Sequence, residues 1–234
     1  CGGSSAMTER GSQEPGPGSG AGGTEESGPS VRPQGPGPIG GDIAKILYGL
    51  GERFRIPALS ARHDSTNVMG LFALVNGVIS IAIMSAAAVV TGQALIFPSL
   101  GPTAFLLFYT PTVPAASPRN TICGHAIGAA AGYLALVVFG LTQAAPALAT
   151  EVTWPRVGAA AMSLGLTSGL MVWLRVPHPP AGATTLIVSL GILTEPVELL
   201  VLMLAVFLLV VQGYVINHLA GIRYPLWAPS RPPS

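Results

Sequence analysis

Charge is what this sequence has least of. Only 9% of its 234 residues are charged, and none falls between Ser65 and Pro118. Soluble domains carry about 25%, so a water-facing globule is excluded. The formal net charge of +1 gives no basic footprint for nucleic acid. Cysteine is almost absent. Cys1 lies in a polar tail and Cys123 in an apolar run, so no disulfide is expected. The histidines are His63, His125, His178 and His218, none paired at i, i+3 or i+4 with another zinc-type ligand, so no metal site is expected. H-E-x-x-H and G-x-S-x-G are missing. Between Ser65 and the last apolar run the acidic residues are Glu151, Glu195 and Glu198, all in or near loops. No carboxylate pair stands at membrane depth for acid–base work. The chain is not read as an enzyme, and nothing in it calls for a cofactor.

What is there is apolar. Half of the residues are hydrophobic and the mean hydropathy is +0.58, which points to a polytopic protein whose first partner is the lipid bilayer. Residues 1–40 are Gly, Pro, Ser and Glu with few large apolar side chains, and read as a disordered tail. Residues 41–64 read as a juxtamembrane segment. In it Ile43, Ile46, Leu47 and Leu50 recur at helical spacing beside Lys45, Arg53, Arg55 and Arg62. Residues 65–222 form the transmembrane domain, and 223–234 an interfacial or cytoplasmic tail. Four runs are long enough to span a bilayer: 66–91, 120–141, 157–174 and 197–219. The expected fold is therefore all-α and polytopic, with four long transmembrane helices plus two short helices broken by proline and glycine.

Those two breaks carry the functional reading. One is Val176-Pro177-His178-Pro179-Pro180-Ala181-Gly182-Ala183-Thr184-Thr185, the other Phe97-Pro98-Ser99-Leu100-Gly101-Pro102-Thr103. Proline removes donors and fixes φ, so a helix is expected to start at each break, leaving N–H groups free at about Ala181 to Thr185. Aligned without gaps, Pro98/Pro179, Gly101/Gly182 and Thr103/Thr184 coincide, each pair 81 residues apart (179 minus 98). Each break lies between two long spans, so an internal two-fold repeat is expected, and such paired breaks mark a transporter's binding site. If the breaks are re-entrant there are four crossings and the repeats are parallel. If they cross there are six and the repeats are inverted. The Lys and Arg positions put both termini in the cytoplasm either way and mildly favour six. The stripe Gly124, Gly128, Gly132 lets helices approach closely, either inside the chain or at a homo-oligomer seam.

Four motifs together resemble the HPP family of integral membrane proteins. They are F-P-S-L-G-P-T at 97–103, P-R-N-x-x-x-G-H-x-I-G at 118–128, H-P-P-A-G-A-T at 178–184 and N-H-L-x-G-x-R-Y-P-L-W at 217–227. The likeness covers about residues 60–227. It implies four membrane spans and a link to nitrite transport through plastid members. The location expected is a bacterial inner (plasma) membrane.

A small anion suits these residues. Two half-helix starts would present N–H donors and positive dipole ends. Gly101 and Gly182 would let a solute approach the backbone, and Ser99, Thr103, Thr184 and Thr185 would add hydroxyls. Arg119, Asn120 and His125 would supply charge or a proton path. His178, with an unperturbed pKa of about 6.5, suits coupling to a proton. The blander readings are that each threonine bonds its own i−4 carbonyl, that His178 only caps a helix, and that Arg119 snorkels to the interface. The alternative function is a non-transporting anchor or assembly module that packs through its glycine-rich helices.

Overall fold

The computed structural model describes residues 55–229. The expected tail at 1–40 and most of the juxtamembrane segment lie outside the described residues. Among the described residues are seven α-helices, one 3-10 turn and no strand. In order they are α1 (Ile56–Ser60), α2 (Ser65–Thr91), α3 (Leu100–Tyr109), the turn Pro114–Ala116, α4 (Pro118–Val138), α5 (Trp154–Trp173), α6 (Ala181–Ser189) and α7 (Pro196–Leu219).

Proline opens most of them. It stands in the first turn of α1, α4, α5 and α7, where a missing N–H breaks no helical bond and φ is already set. Asp64 and Ser117 cap α2 and α4 by accepting from the Asn67 and Asn120 N–H groups, and Glu195 with Glu198 forms a capping box on α7. Three helices, α2, α4 and α7, have the length and apolar composition to cross a bilayer. Four were expected. The fourth, α5, has 20 residues, enough for about 30 Å. Pro155, Arg156 and several Gly, Ser and Thr residues leave it less apolar than the other three.

Contacts sort the turns into two ends. At the first end, the Ile56 N–H donates to the Ala220 carbonyl and the Arg119 N–H to the Trp227 carbonyl. A groove there is lined by Met69, Tyr109, Thr110 and Ile222. At the second end, the Ala147 N–H donates to the Leu190 carbonyl. The Arg156 guanidinium donates to the Ser189 and Ala145 carbonyls, and another groove is lined by Gln93, Phe97, Leu193 and Glu198. Each of α2, α4, α5 and α7 joins one end to the other. So does each broken segment: Phe97 is at the second end and Thr110 at the first, while Arg175 is at the first and Leu190 at the second. Six segments of the described chain thus run between these two ends. Helices α3 and α6 have only ten and nine residues, and extended backbone completes each of their passes.

The burial pattern is that of a protein in lipid. Large apolar side chains face outward, among them Leu71 at 64% exposed and Val90 at 85%, while Asn76, Ser80, Thr103, Thr121, Ser163 and Asn217 are buried. Helix α6 sits inside on a stripe of glycines, while α3 buries Leu100, Thr103, Ala104, Leu107 and Phe108 and leaves Phe105 and Tyr109 exposed. A Cβ added at Gly128 would lie 2.7 Å from the Ala181 carbonyl oxygen, and one at Gly132 would lie 2.7 Å from Val188 Cβ. The glycine stripe of α4 is therefore the seat of α6, filled by the chain itself. At Gly124, Gly128 and Gly132 the close approach is made within the chain, to His178, Ala181, Thr185 and Val188. In the same way a Cβ at Gly213 of α7 would lie 3.1 Å from Leu107 of α3, and Asn217 Nδ2 donates to the Leu107 carbonyl. Gly132 and Gly213 are 81 residues apart, and so are Leu107 and Val188.

Gly128→Ala is expected to destabilise the protein by about 1–3 kcal/mol, because the new methyl meets backbone that cannot rotate away. Gly101→Ala, with nothing within 4 Å of its Cβ, is expected to be neutral or to stabilise by up to about 1 kcal/mol. Thermal melting in detergent reads both, and equal losses would contradict this packing.

Candidate functional site

Five buried side chains converge between the two short helices. His178 lies in the extended stretch before α6, where Pro177, Pro179 and Pro180 delay the helix until Ala181. His125 and Thr121 come from α4, Thr103 from the first turn of α3, and Thr184 from α6. All five are fully buried. Gly124 makes the room: a Cβ there would stand 2.7 Å from His178 Cβ. His125 is seven residues beyond Pro118, which places it about 10 Å along α4 from the first end.

The hydrogen bonds close on one another. The Thr103 hydroxyl donates to the Ser99 carbonyl at 2.9 Å, and its oxygen lies 2.9 Å from His125 Nε2 and 3.3 Å from His178 Nε2. The two Nε2 atoms are 3.2 Å apart. His178 Nδ1 lies 2.7 Å from the Ala115 carbonyl oxygen, with Thr121 Oγ1 3.5 Å from the same nitrogen. His125 Nδ1 lies 2.6 Å from Thr184 Oγ1. A carbonyl only accepts, so His178 carries its proton on Nδ1 and its Nε2 is bare. His125 then donates from Nε2, and its bare Nδ1 accepts from the Thr184 hydroxyl. These tautomers follow from the partners.

The 3-10 turn anchors the cluster through three consecutive carbonyls. Pro114 O accepts from Ser117 Oγ and Asn120 Nδ2, Ala115 O from His178, and Ala116 O from the Tyr224 hydroxyl at 2.6 Å. The turn thus ties together the start of α4, the second broken segment and the tail beyond α7. At the first end, Arg119 donates to the Arg175 carbonyl and to Asn120 Oδ1. Arg175 is the one non-glycine residue with positive φ (56°) among the described residues. It occupies the left-handed turn that releases the chain from α5 towards His178.

Of the site residues expected from sequence, Thr103, His125, His178 and Thr184 meet. Ser99 contributes its carbonyl, and its own hydroxyl is buried without a protein partner. Thr185 turns to the other side of α6, bonding Thr167 at 2.8 Å and the Ala181 carbonyl. The i−4 bond holds for Thr103 and Thr185 alike, and for Thr103 it coexists with the histidine contacts. Arg119 and Asn120 lie outside the cluster, held by the first-end turns. Pro98, Gly101 and Pro179 are exposed, Pro180 is buried at the N-cap of α6, and Gly182 faces Leu164 of α5. Neither glycine borders the histidines. The free N–H donors expected at the second break are also corrected. Ala181, Gly182 and Ala183 donate to the carbonyls of His178, Pro179 and Pro180, because the proline turn already curls like a helix. The Leu100 N–H likewise donates to Phe97 O. Thr121 and Tyr224 were not foreseen. Tyr224 belongs to the closing R-Y-P-L-W motif, in the segment expected as an interfacial or cytoplasmic tail, and only the tertiary fold returns it to Ala116.

Residues 63–225 match the family described as "HPP, transmembrane region". Two transmembrane proteins of Dictyostelium discoideum resemble the chain. One is 35% identical over 94 residues, 40% of this chain and 30% of the relative, and the other is 36% identical over 89 residues, 38% and 25% respectively. The chain thus matches less than a third of the length of either. No solved structure matches it.

Burial pushes the Tyr224 phenol above its ordinary value of about 10. The neutral phenol is the form favoured in the fold, so its stabilisation is complete below about pH 10 and declines as pH rises beyond that. Tyr224→Phe is expected to cost about 1–3 kcal/mol by leaving the Ala116 carbonyl without its donor, and to flatten the alkaline decline. Melting curves at roughly pH 8 and roughly pH 11 distinguish this from a surface role, for which the variant would melt like the parent at both.

Proposed function

This chain belongs to the HPP family of transmembrane proteins, and from that premise we propose that it transports a small inorganic anion, with nitrite as the family-derived first choice. The observation that carries the reading is the double engagement of His125. Thr103 and Thr184, matched residues of the two broken segments, lie at its opposite ring nitrogens. A polar junction of two interrupted helices, inside an otherwise apolar chain, is where transporters hold their solutes.

We read the two halves, α2–α4 and α5–α7, as an inverted repeat. The 81-residue offset of the breaks recurs in the seating pairs Gly132 with Val188 and Gly213 with Leu107. Corresponding passes run in opposite directions, as the contacts at the two ends indicate. Rocking of one half against the other then gives alternating access to the junction. The positive-inside rule favours a cytoplasmic first end. Arg55, Arg62, Arg119, Arg175 and Arg223 gather there, whereas Arg156 stands with Glu151, Glu195 and Glu198 at the second. The anion path proposed here runs through the side chains of the junction, since the helix-start donors at Ala181 to Ala183 are engaged. A non-transporting module that packs through the glycine stripe has no observation in its favour, because α6 fills that stripe.

Proteoliposome uptake of nitrite, nitrate, formate and chloride tests the reading. Saturable uptake of at least one anion is expected, reduced at least about tenfold in His178→Ala that still inserts in the membrane. Flux of none of the four, with a stoichiometric partner on purification, would sink it.

A further inference from the structure

Resting on that reading, we infer that the His125–His178 pair makes transport electroneutral, with one proton bound for each monovalent anion. The inference comes from counting protons and charges at the junction.

In the resting arrangement both imidazoles are neutral. Two ring lone pairs exist, one on His125 Nδ1 and one on His178 Nε2. The first accepts the Thr184 hydroxyl at 2.6 Å, and the second accepts from His125 Nε2 at 3.2 Å. No charged side chain belongs to the cluster. Around the pair, α3 presents Thr103 and the Ser99 carbonyl, the 3-10 turn presents the Ala115 carbonyl, α4 presents Thr121, and α6 presents Thr184. On α5 the nearby buried polar groups are Ser163 and Thr167, which bond the Ala160 carbonyl and Thr185. The buried residues of α7 include nothing titratable. Nearby titratable groups are Tyr224, bonded to the neighbouring Ala116 carbonyl, half-buried Cys123 on α4, and Arg119, which donates to the Arg175 carbonyl. Arg156 is held at the far end by Ser189 and Ala145.

An anion entering this buried junction, which holds no charged side chain, has no counter-charge, and burying it alone costs several kcal/mol or more. The group able to supply the charge is the pair itself. A proton taken up on His178 Nε2 leaves both Nε2 atoms bearing hydrogen. They cannot then bond each other, and both face the Thr103 hydroxyl oxygen, 2.9 and 3.3 Å away, which an anion would have to displace or share. That gives one positive charge and two converging donors, complementary to one anion. Neither ion is accommodated well alone: the proton without the anion leaves a buried imidazolium, and the anion without the proton leaves a buried unpaired charge. Proton and anion therefore bind and leave together, and the loaded and empty junctions carry the same net charge.

The test uses the full chain in liposomes loaded with a pH-sensitive dye, with potassium and valinomycin to clamp the potential and protein-free liposomes as baseline. Nitrate and nitrite are both used, because nitrate does not cross lipid as a free acid. Internal acidification matching anion uptake one for one, with a rate indifferent to the clamp, is expected. His125→Gln and His178→Gln keep hydrogen-bonding groups but cannot hold the extra proton. Each is expected to lose the rise in uptake that the parent shows on lowering the outside pH. Anion flux that follows the clamped potential without acidification would overturn the inference and leave the transport reading intact. So would Gln variants that keep the parent's pH profile. Absence of any flux would overturn both.

Discussion

A backbone group in lipid has no water to turn to, and the rest of this structure follows from that constraint. Proline breaks two of the six passes, and a broken helix exposes carbonyls and N–H groups that must be bonded by protein. The short helix α6 is accordingly placed inside, and α3 turns one face inward. Each is seated on a long helix through glycine: Gly128 and Gly132 of α4 face the Ala181 and Thr185 carbonyls of α6, and Gly213 of α7 admits the Leu107 side chain of α3. Polar side chains complete the bonding, as Asn217 does for the Leu107 carbonyl and Arg156 for Ser189 at the end of α6.

The histidine pair is a consequence of the same arrangement. An extended residue before a buried helix start needs a partner for its side chain, and His178 finds one on each side. Ala115 accepts from Nδ1, while His125 and Thr103 meet Nε2. The carbonyls of the 3-10 turn then link this pair to the tail through Tyr224. A change at the junction is mechanically connected to α4, to both short helices and to the C-terminal segment.

Part of the site was legible in the residues. Proline pairs ahead of an apolar helical run locate helix starts because their effect is local. The recurrence of Pro, Gly and Thr at one offset pointed to Thr103 and Thr184 together, and both stand at His125. Local rules did not separate Gly101, Gly182 and Arg119 from the residues that meet at His125. An exposed glycine, a glycine against Leu164 and an arginine on a distant carbonyl look alike in sequence to groups lining a path. The free helix-start donors failed for a related reason. Whether an N–H at the start of α6 is free depends on the curl of the preceding proline turn, which residue types alone leave open.

The sequence by itself determined that this is a helical membrane protein with two interrupted segments, since hydropathy, charge depletion and proline placement act over a few neighbouring residues. Only the tertiary structure decided that both broken segments run from one end of the bundle to the other, that α6 lies on the glycine stripe of α4, and that His125 and His178 share a hydrogen bond. Those outcomes depend on which helix faces which, and residues 53 positions apart meet only once the long helices have packed.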